Sequence, residues 1–300
     1  MKPTLPPLPL APWKPTKETL HLWTQIVGKV RMALSPRRNH WWHVTLRVSP
    51  RGLTTGLVPH AKGGFEIELD LVDHGVEVRM ADGCRARIPL RDGLSVAEFH
   101  RTLLEHLASF GVKPSIRARP YDLSFAKQPF ASDKRHAAYD PEAVQRFAAV
   151  LRWTAGELER FAGDFRGKTS PVQFFWHSFD LALTRFSGRR APPIPGANAV
   201  TREAYSHEVA SFGFWPGDDV VRVPAYYAYA APVPEGLRKE RLAPRGARWN
   251  PGSGMALLPY EKVRRAADPG RALLGFYESV QSAASKRARW KDAEPAAPKA

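Results

Sequence analysis

The chain has 300 residues, of which 43% are hydrophobic, 25% charged and 11% aromatic; this excludes collagen-like and coiled-coil architectures and suits a globular protein with a substantial core. Its 45 basic and 29 acidic residues give a net charge of +16, spread so that residues 1–150 and 151–300 each carry +8, which argues against a dedicated basic arm. With Cys84 as the single cysteine there is no intrachain disulfide, zinc ribbon or CxxC redox pair, and with no apolar run of about 18 residues and a proline-rich start the chain reads as cytoplasmic, with no membrane partner.

Residues 1–15 hold Pro3, Pro6, Pro7, Pro9, Pro12 and Pro15, so an extended N-terminus is expected there. After Thr16, a candidate N-cap, Leu20, Trp23, Val27, Val30 and Leu34 mark an amphipathic helix that Pro36 stops, with Gln25, Lys29 and Arg31 on its other faces. From 41 to 49, Trp42, Val44, Leu46 and Val48 alternate with Trp41, His43, Thr45 and Arg47, the pattern of a half-buried strand. The alternation returns at Phe65, Ile67, Leu69 and Leu71 and, after the turn Asp73-His74-Gly75, at Val76, Val78 and Met80, predicting an antiparallel hairpin with one apolar and one charged face. Cys84 falls in an apparent strand, as a buried structural thiol.

Ser95 and Glu98 form a capping-box pattern for a helix through Val96, Phe99, Leu103, Leu107 and Phe110, ended by Gly111. Residues 112–139 read as irregular, and Asp140-Pro141 opens a helix that carries Val144, Phe147, Leu151, Leu158 and Phe161. A further helix is expected from Pro171 to Phe186, then a proline-stiffened loop from Arg189 to Asn198. Strands are expected at 205–214 and 220–231 and at Met255, Leu257 and Leu258, followed by a helix capped by Asp268-Pro269 and bearing Leu273, Phe276 and Val280.

The order strand, proline, loop, capped helix occurs near residue 90 and again near residue 260. The expected architecture is therefore α+β: an antiparallel sheet with helices packed mainly on one face, with two similar sheet-plus-helix halves as one reading of the repeat. The expected organisation is a proline-rich terminus (1–15), one compact domain (16–285) and a basic, Pro/Ala-rich tail (286–300). Within the domain the halves would be 16–111 and 199–285, joined by a helical middle, 140–186. In the tail, Lys286, Arg287, Arg289 and Lys291 suit the negative end of a helix dipole.

There is no GxxxxGK[ST] loop, no GxGxxG after a strand, no GxSxG elbow and no HExxH helix, which argues against nucleotide-driven enzymes, dinucleotide-dependent dehydrogenases and serine hydrolases. Three Trp- and His-bearing segments remain as places for chemistry. In Asn39-His40-Trp41-Trp42-His43, alternation puts Asn39, Trp41 and His43 on one side; His43 suits a general base or metal ligand and Trp41 a flat platform for a ring or sugar. The expected helix around 176–185 places His177 and Asp180 on one face, costly to bury unless paired or used, with Arg185 available for an ion pair or an anionic group. In Ser206-His207-Glu208 the imidazole and carboxylate diverge on any regular backbone, so a metal would need one of them together with His177, Asp180, His40 or His43. Trp215 and Tyr227 complete the set as pocket-lining aromatics.

The strings LWTQIVGKVRMALSPRRNHWWHVTLRVSPRGLTTG, FFWHSFDLALTRFSGRRAPP, REAYSHEVASFGFWPG and LLPYEKVR resemble a bacterial family of uncharacterised proteins, a domain of unknown function, over about residues 18–285. The resemblance implies one unit spanning most of the chain and bacterial origin, and it carries over no activity, cofactor or site residue. The residues themselves point to an enzyme or binding protein for a polar or anionic small molecule, its cofactor and oligomeric state unassigned. The expected pocket gathers Asp180, His43 and His207 as proton-handling groups and Asn39, Trp41, His177, Arg185, Glu208, Trp215 and Tyr227 as ligand-binding groups. Two rival readings stand beside it: a nucleic-acid-associated protein using dispersed arginines, and a non-catalytic partner-binding module.

Overall fold

A computed structural model describes residues 5–290 of the chain, so Lys291 and the rest of the expected tail lie outside the described residues. The first helix, α1, runs Leu10–Leu34, starting six residues before Thr16 in the segment expected to be extended. Pro12 falls in the first turn, where N–H groups have no intrahelical partner; Pro15 gives up one bond close to that end. Thr16 instead accepts a hydrogen bond from Asp140 N–H at 3.0 Å, tying α1 to a later helix.

Residues 39–41 form a 3-10 turn, not the expected strand, and His40 and Trp41 have left-handed φ values of 54° and 60°. Extended pairing begins only at Leu46, because the preceding backbone bonds locally: Trp42 N–H to Asn39 O and Val44 N–H to Trp41 O. Five strands follow as a meander: β1 Arg47–Val48, β2 Gly52–Thr54, β3 Phe65–Asp70, β4 Gly75–Met80 and β5 Arg85–Pro89. Ile67, Leu69, Val76 and Val78 face the core, while Arg79 on the opposite face bridges Glu66, Glu68 and Glu77 and offsets the repulsion of Glu68 directly opposite Glu77. Cys84 lies exposed in the β4–β5 turn, where Asp82 accepts its backbone N–H and raises its thiol pKa; the expectation of a buried thiol is corrected.

Helix α2 (Val96–Ser109) starts at Ser95, whose hydroxyl accepts from Glu98 N–H. The irregular segment that follows wraps over α1, with Gln25 holding Tyr121 through both its backbone groups. It closes against the start of α2, where Asp133 and His136, joined side chain to side chain at 2.7 Å, lend their carbonyls to Ala97 and Val96 N–H. Helix α3 (Pro141–Gly163) has Asp140 as its N-cap.

The expected helix at 171–186 is instead a hairpin, β6 Gln173–Phe175 and β7 Asp180–Arg190. Leu181, Leu183 and Arg185 point to the core side, while Asp180, Ala182 and Thr184 alternate to the other: the period is two, and the three- and four-residue spacings of the polar groups are incidental. The middle of the chain is therefore not wholly helical. Helix α4 (Ala199–Ala204), strands β8 His207–Trp215, β9 Ala225–Ala231, β10 Arg248–Trp249 and β11 Ala256–Pro259, and helices α5 (Tyr260–Arg264) and α6 (Pro269–Ala288) complete the chain.

The second sheet has the order β10-β11-β9-β8-β7-β6, antiparallel throughout. Its β6 edge meets the first sheet through reciprocal bonds between Leu46 and Phe174, N–H to O at 2.9 and 2.8 Å. Helices α2, α1, α3 and α6 lie side by side on the apolar side of the joined sheets, burying Phe99, Leu103, Trp23, Phe147, Phe161 and Tyr277 in one continuous core. The fold is α+β with open antiparallel sheets, as the patterning implied. Among the described residues no helix is long and apolar enough to cross a membrane.

Candidate functional site: an acid–phenol pair on the bare face of the second sheet

Asp180 is the first residue of β7, and the turn before it is held from several sides. Trp176 Nε1–H donates to Val44 O at 2.7 Å, and its indole lies flat on α1 over Gly28, where an added Cβ would come within 2.2 Å of the ring. The carbonyl of His177 accepts from His21 Nε2–H at 3.1 Å and Gln25 Nε2–H at 3.4 Å. Phe179, at φ 60°, is buried between Phe147 and Phe174. Packing thus enforces a left-handed backbone one residue before the carboxylate.

The Asp180 side chain emerges away from the helices, and its two oxygens accept hydrogen bonds from Ser178 Oγ–H and Tyr227 O–H. Tyr227 belongs to β9 and must cross β8 to arrive there. It crosses at Gly213, where a Cβ would sit 2.5 Å from the phenol ring, so only glycine leaves the path open. Tyr229 lies nearly parallel to Tyr227 (ring centroids 6.2 Å apart, 17° between planes) and bonds through its hydroxyl to Tyr205 at 3.0 Å. Phe175, Trp215, Val221, Met255 and Leu257 surround the pair with apolar surface.

Burial drives the electrostatics. The Asp180 carboxyl is pushed above the usual carboxylate range by desolvation, which outweighs the opposing hydrogen bonds from Ser178 and Tyr227. Desolvation likewise pushes His177 down, with Asp180 and Asp122 opposing it, and holds Tyr227 well above the ordinary phenol value. The arrangement holds a carboxyl ready to give or take a proton, with a phenol fixing its orientation.

Asp180, His177, Trp215 and Tyr227 are thus brought to one end of the bare face. The other candidates lie elsewhere, and the shared pocket expected from the sequence does not assemble. Phe186 is six residues along β7 from Asp180, about 20 Å at ~3.3 Å per residue, and His207 lies beyond it, opposite Arg190. Trp41 and His43 stack on each other (5.3 Å, 27°) beside Arg37, His43 accepting from Arg38 N–H at 3.2 Å, and Asn39 is exposed in the same turn. Arg185 is on the core side, donating to Phe161 O at the C-terminal end of α3 and lying on the Phe161 and Phe165 rings; burial pulls its pKa down to about 10. It holds a helix end, where an anionic ligand was expected. Glu208 is bound by Ser187 and Arg189 and borders a cavity of about 210 Å³ with Arg287 and Trp290. Among the described residues no three of His, Cys, Asp and Glu group as metal ligands would.

Sequence reasoning passed over Ser178, Gly213 and Phe175. The signal for Gly213 was present, since a glycine inside a strand pattern marks a close approach, whereas Ser178 becomes visible only once 176–179 is known to be a turn.

The fold and site define an α+β protein of two edge-joined antiparallel sheets, with its long helices on one side and an acid–phenol pair on the other. Residues 5–296 match the family of unknown function DUF5996, and the chain belongs to that family. No curated protein and no solved structure matches it.

Proposed function

We propose that the bare face of the second sheet binds a polar small molecule, with Asp180 as its proton-handling group and Phe175 and Trp215 as the walls against which the ligand packs. One observation carries this reading: a largely desolvated carboxyl whose described partners are two hydroxyls and no cation. A core does not need such a group, and burying it without ion pairing is costly. Asp180 would serve as acid while protonated and as base once the ligand has taken its proton, and Tyr227 would hold the carboxyl towards the ligand.

Thermal shift against a panel of monosaccharides, polyols and amino acids tests the reading, with wild type, Asp180→Asn and Tyr227→Phe compared. The expected result is a saturable stabilisation of wild type that Asp180→Asn weakens at least about tenfold, while the unliganded variant unfolds within ~1 kcal/mol of wild type or is more stable. A variant that is 2–3 kcal/mol less stable, roughly the cost of breaking a buried polar network, and that responds to ligands as wild type does would make Asp180 structural.

A further inference from the structure

We propose that Lys168, Arg190 and His207 form a binding site for a phosphate group, at the end of the second sheet far from Asp180. The site is built where the bare face meets α4 and the turn at 39–41. Ser187–Arg189 bulge out of the β7–β8 ladder between the pairs Phe186↔Val209 and Arg190↔His207, and the bulge sets Arg190 directly opposite His207. Directly opposed residues of an antiparallel pair project to the same side, so guanidinium and imidazole share one face. Lys168, in the connection from α3 to β6, bonds through its carbonyl to Phe186 N–H at 2.9 Å and extends its ammonium over the rings of Phe186 (4.8 Å) and Trp42 (5.3 Å).

His40 positions the lysine. Its Nδ1–H donates to Glu203 O at 3.1 Å, leaving Nε2 to accept from Lys168 Nζ at 2.8 Å. Two of the three ammonium N–H groups remain for a ligand. The His207 ring stands edge-on to His40, with centroids 5.7 Å apart. Ser206 Oγ–H donates to Glu203 O at 2.8 Å, so at 3.1 Å its oxygen accepts from His207 Nδ1–H. The neutral His207 therefore offers only the lone pair of Nε2, and it becomes a donor there on protonation.

Charge selects the ligand. Among the described residues no carboxylate lies within ion-pair distance of Lys168 or Arg190, and the nearby Glu203 carboxylate is already taken by Arg37 and by the backbone N–H of His40. Two permanent cations without a counter-charge match a dianion better than a single carboxylate, and a guanidinium fork beside an ammonium suits the several oxygens of a phosphate. The groups facing His207 are Lys168, Arg190 and the neutral His40, and Lys168 and Arg190 hold its pKa down. A bound dianion reverses that repulsion, so binding takes up a proton at Nε2.

The test uses the full chain and three probes: phenyl phosphate, sulfate, and a single-stranded DNA oligomer to represent a nucleic-acid source of the same group. Phenyl phosphate should bind saturably by calorimetry at low salt, and Lys168→Met and Arg190→Gln should each weaken it about tenfold or more. Arg241→Gln, which removes an equal charge at an exposed position elsewhere, should stay within about twofold of wild type. Sulfate, a dianion throughout the range, should bind more tightly as pH falls from 8 to about 6, and His207→Gln should abolish that dependence. The proposal is overturned if Arg241→Gln weakens phenyl phosphate as much as Lys168→Met does, or if the site variants leave it unchanged. It is equally overturned if only the oligomer binds, with a steep salt dependence, since the target would then be a polyanion rather than a phosphate group. Asp180→Asn should bind phenyl phosphate as wild type does, which keeps this outcome separate from the fate of the Asp180 reading.

Discussion

Tyr227 bonds to a carboxylate two strands away, and the hydrogen atom of Gly213 is what leaves room for its ring. Gly213→Ala would put a methyl 2.5 Å from the phenol and 2.3 Å from Leu181 O, so the ring must leave or the strands must part. The expected loss is about 1–3 kcal/mol of stability by urea unfolding, the usual cost of overpacking, together with a changed near-UV spectrum as Tyr227 leaves Asp180. An unchanged midpoint and spectrum would contradict the crossing. At this scale the sequence was partly legible. Asp180, His177, Trp215 and Tyr227 were singled out as costly or unusual side chains, and they do share one end of a sheet. Arg185 was singled out for the same reason yet ended on the opposite face, because one step along a strand reverses the side that a residue serves.

For elements, legibility depended on whether two periods could be told apart. Helices α2 and α3 were announced by their caps, Ser95 and Asp140, and both caps are made. The hairpin β6–β7 was misread because its polar residues happen to recur at three and four, and the turn between its strands rests on packing of Trp176 and Phe179 that no local pattern records. Helix α1 shows the converse: Lys17, His21, Gln25, Lys29 and Arg31 look like a solvated stripe, and all are buried because the 112–139 wrap and the hairpin cover them. His21 is the consequential member. Burial, with Lys17 nearby, pushes its pKa down to about 3 from an ordinary 6.5, so the folded state binds the proton more weakly than the unfolded chain does. The stability tied to neutral His21 is present above pH 6.5 and is lost as pH falls towards 3. Urea unfolding at pH 4.5, 5.5, 6.5 and 7.5 should show His21→Gln losing stability less steeply than wild type, by up to about one proton, or ~1.4 kcal/mol per pH unit, at the acid end. Identical slopes would mean that other groups dominate.

Across the whole molecule, the two sheets share one core and meet edge to edge at Leu46 and Phe174, so neither half closes its apolar surface alone. Unfolding in urea should therefore be a single transition, with far-UV circular dichroism and tryptophan fluorescence coincident. Leu46→Pro removes one of the two junction bonds, Leu46 N–H to Phe174 O, and should lower the midpoint while keeping the two probes together. Separate transitions in wild type would show that the halves are independently stable. The high net charge also has a local aspect. Many arginines are neutralised within the fold, Arg79 by three glutamates and Arg51 by Asp70 and Asp73, whereas Lys168 and Arg190 have no such partner among the described residues.

By itself the sequence determined the class of the fold, most of the elements and the side chains too costly to bury idly, because periodicity, caps and the price of desolvation are local properties. Only the tertiary structure decided which face each strand presents, which helix lies wholly inside, and that the tryptophan- and histidine-bearing segments form two separate clusters along one sheet. Those outcomes depend on strand register and on contacts between residues far apart in the chain, where a one-residue step or a single glycine redirects a side chain across the sheet.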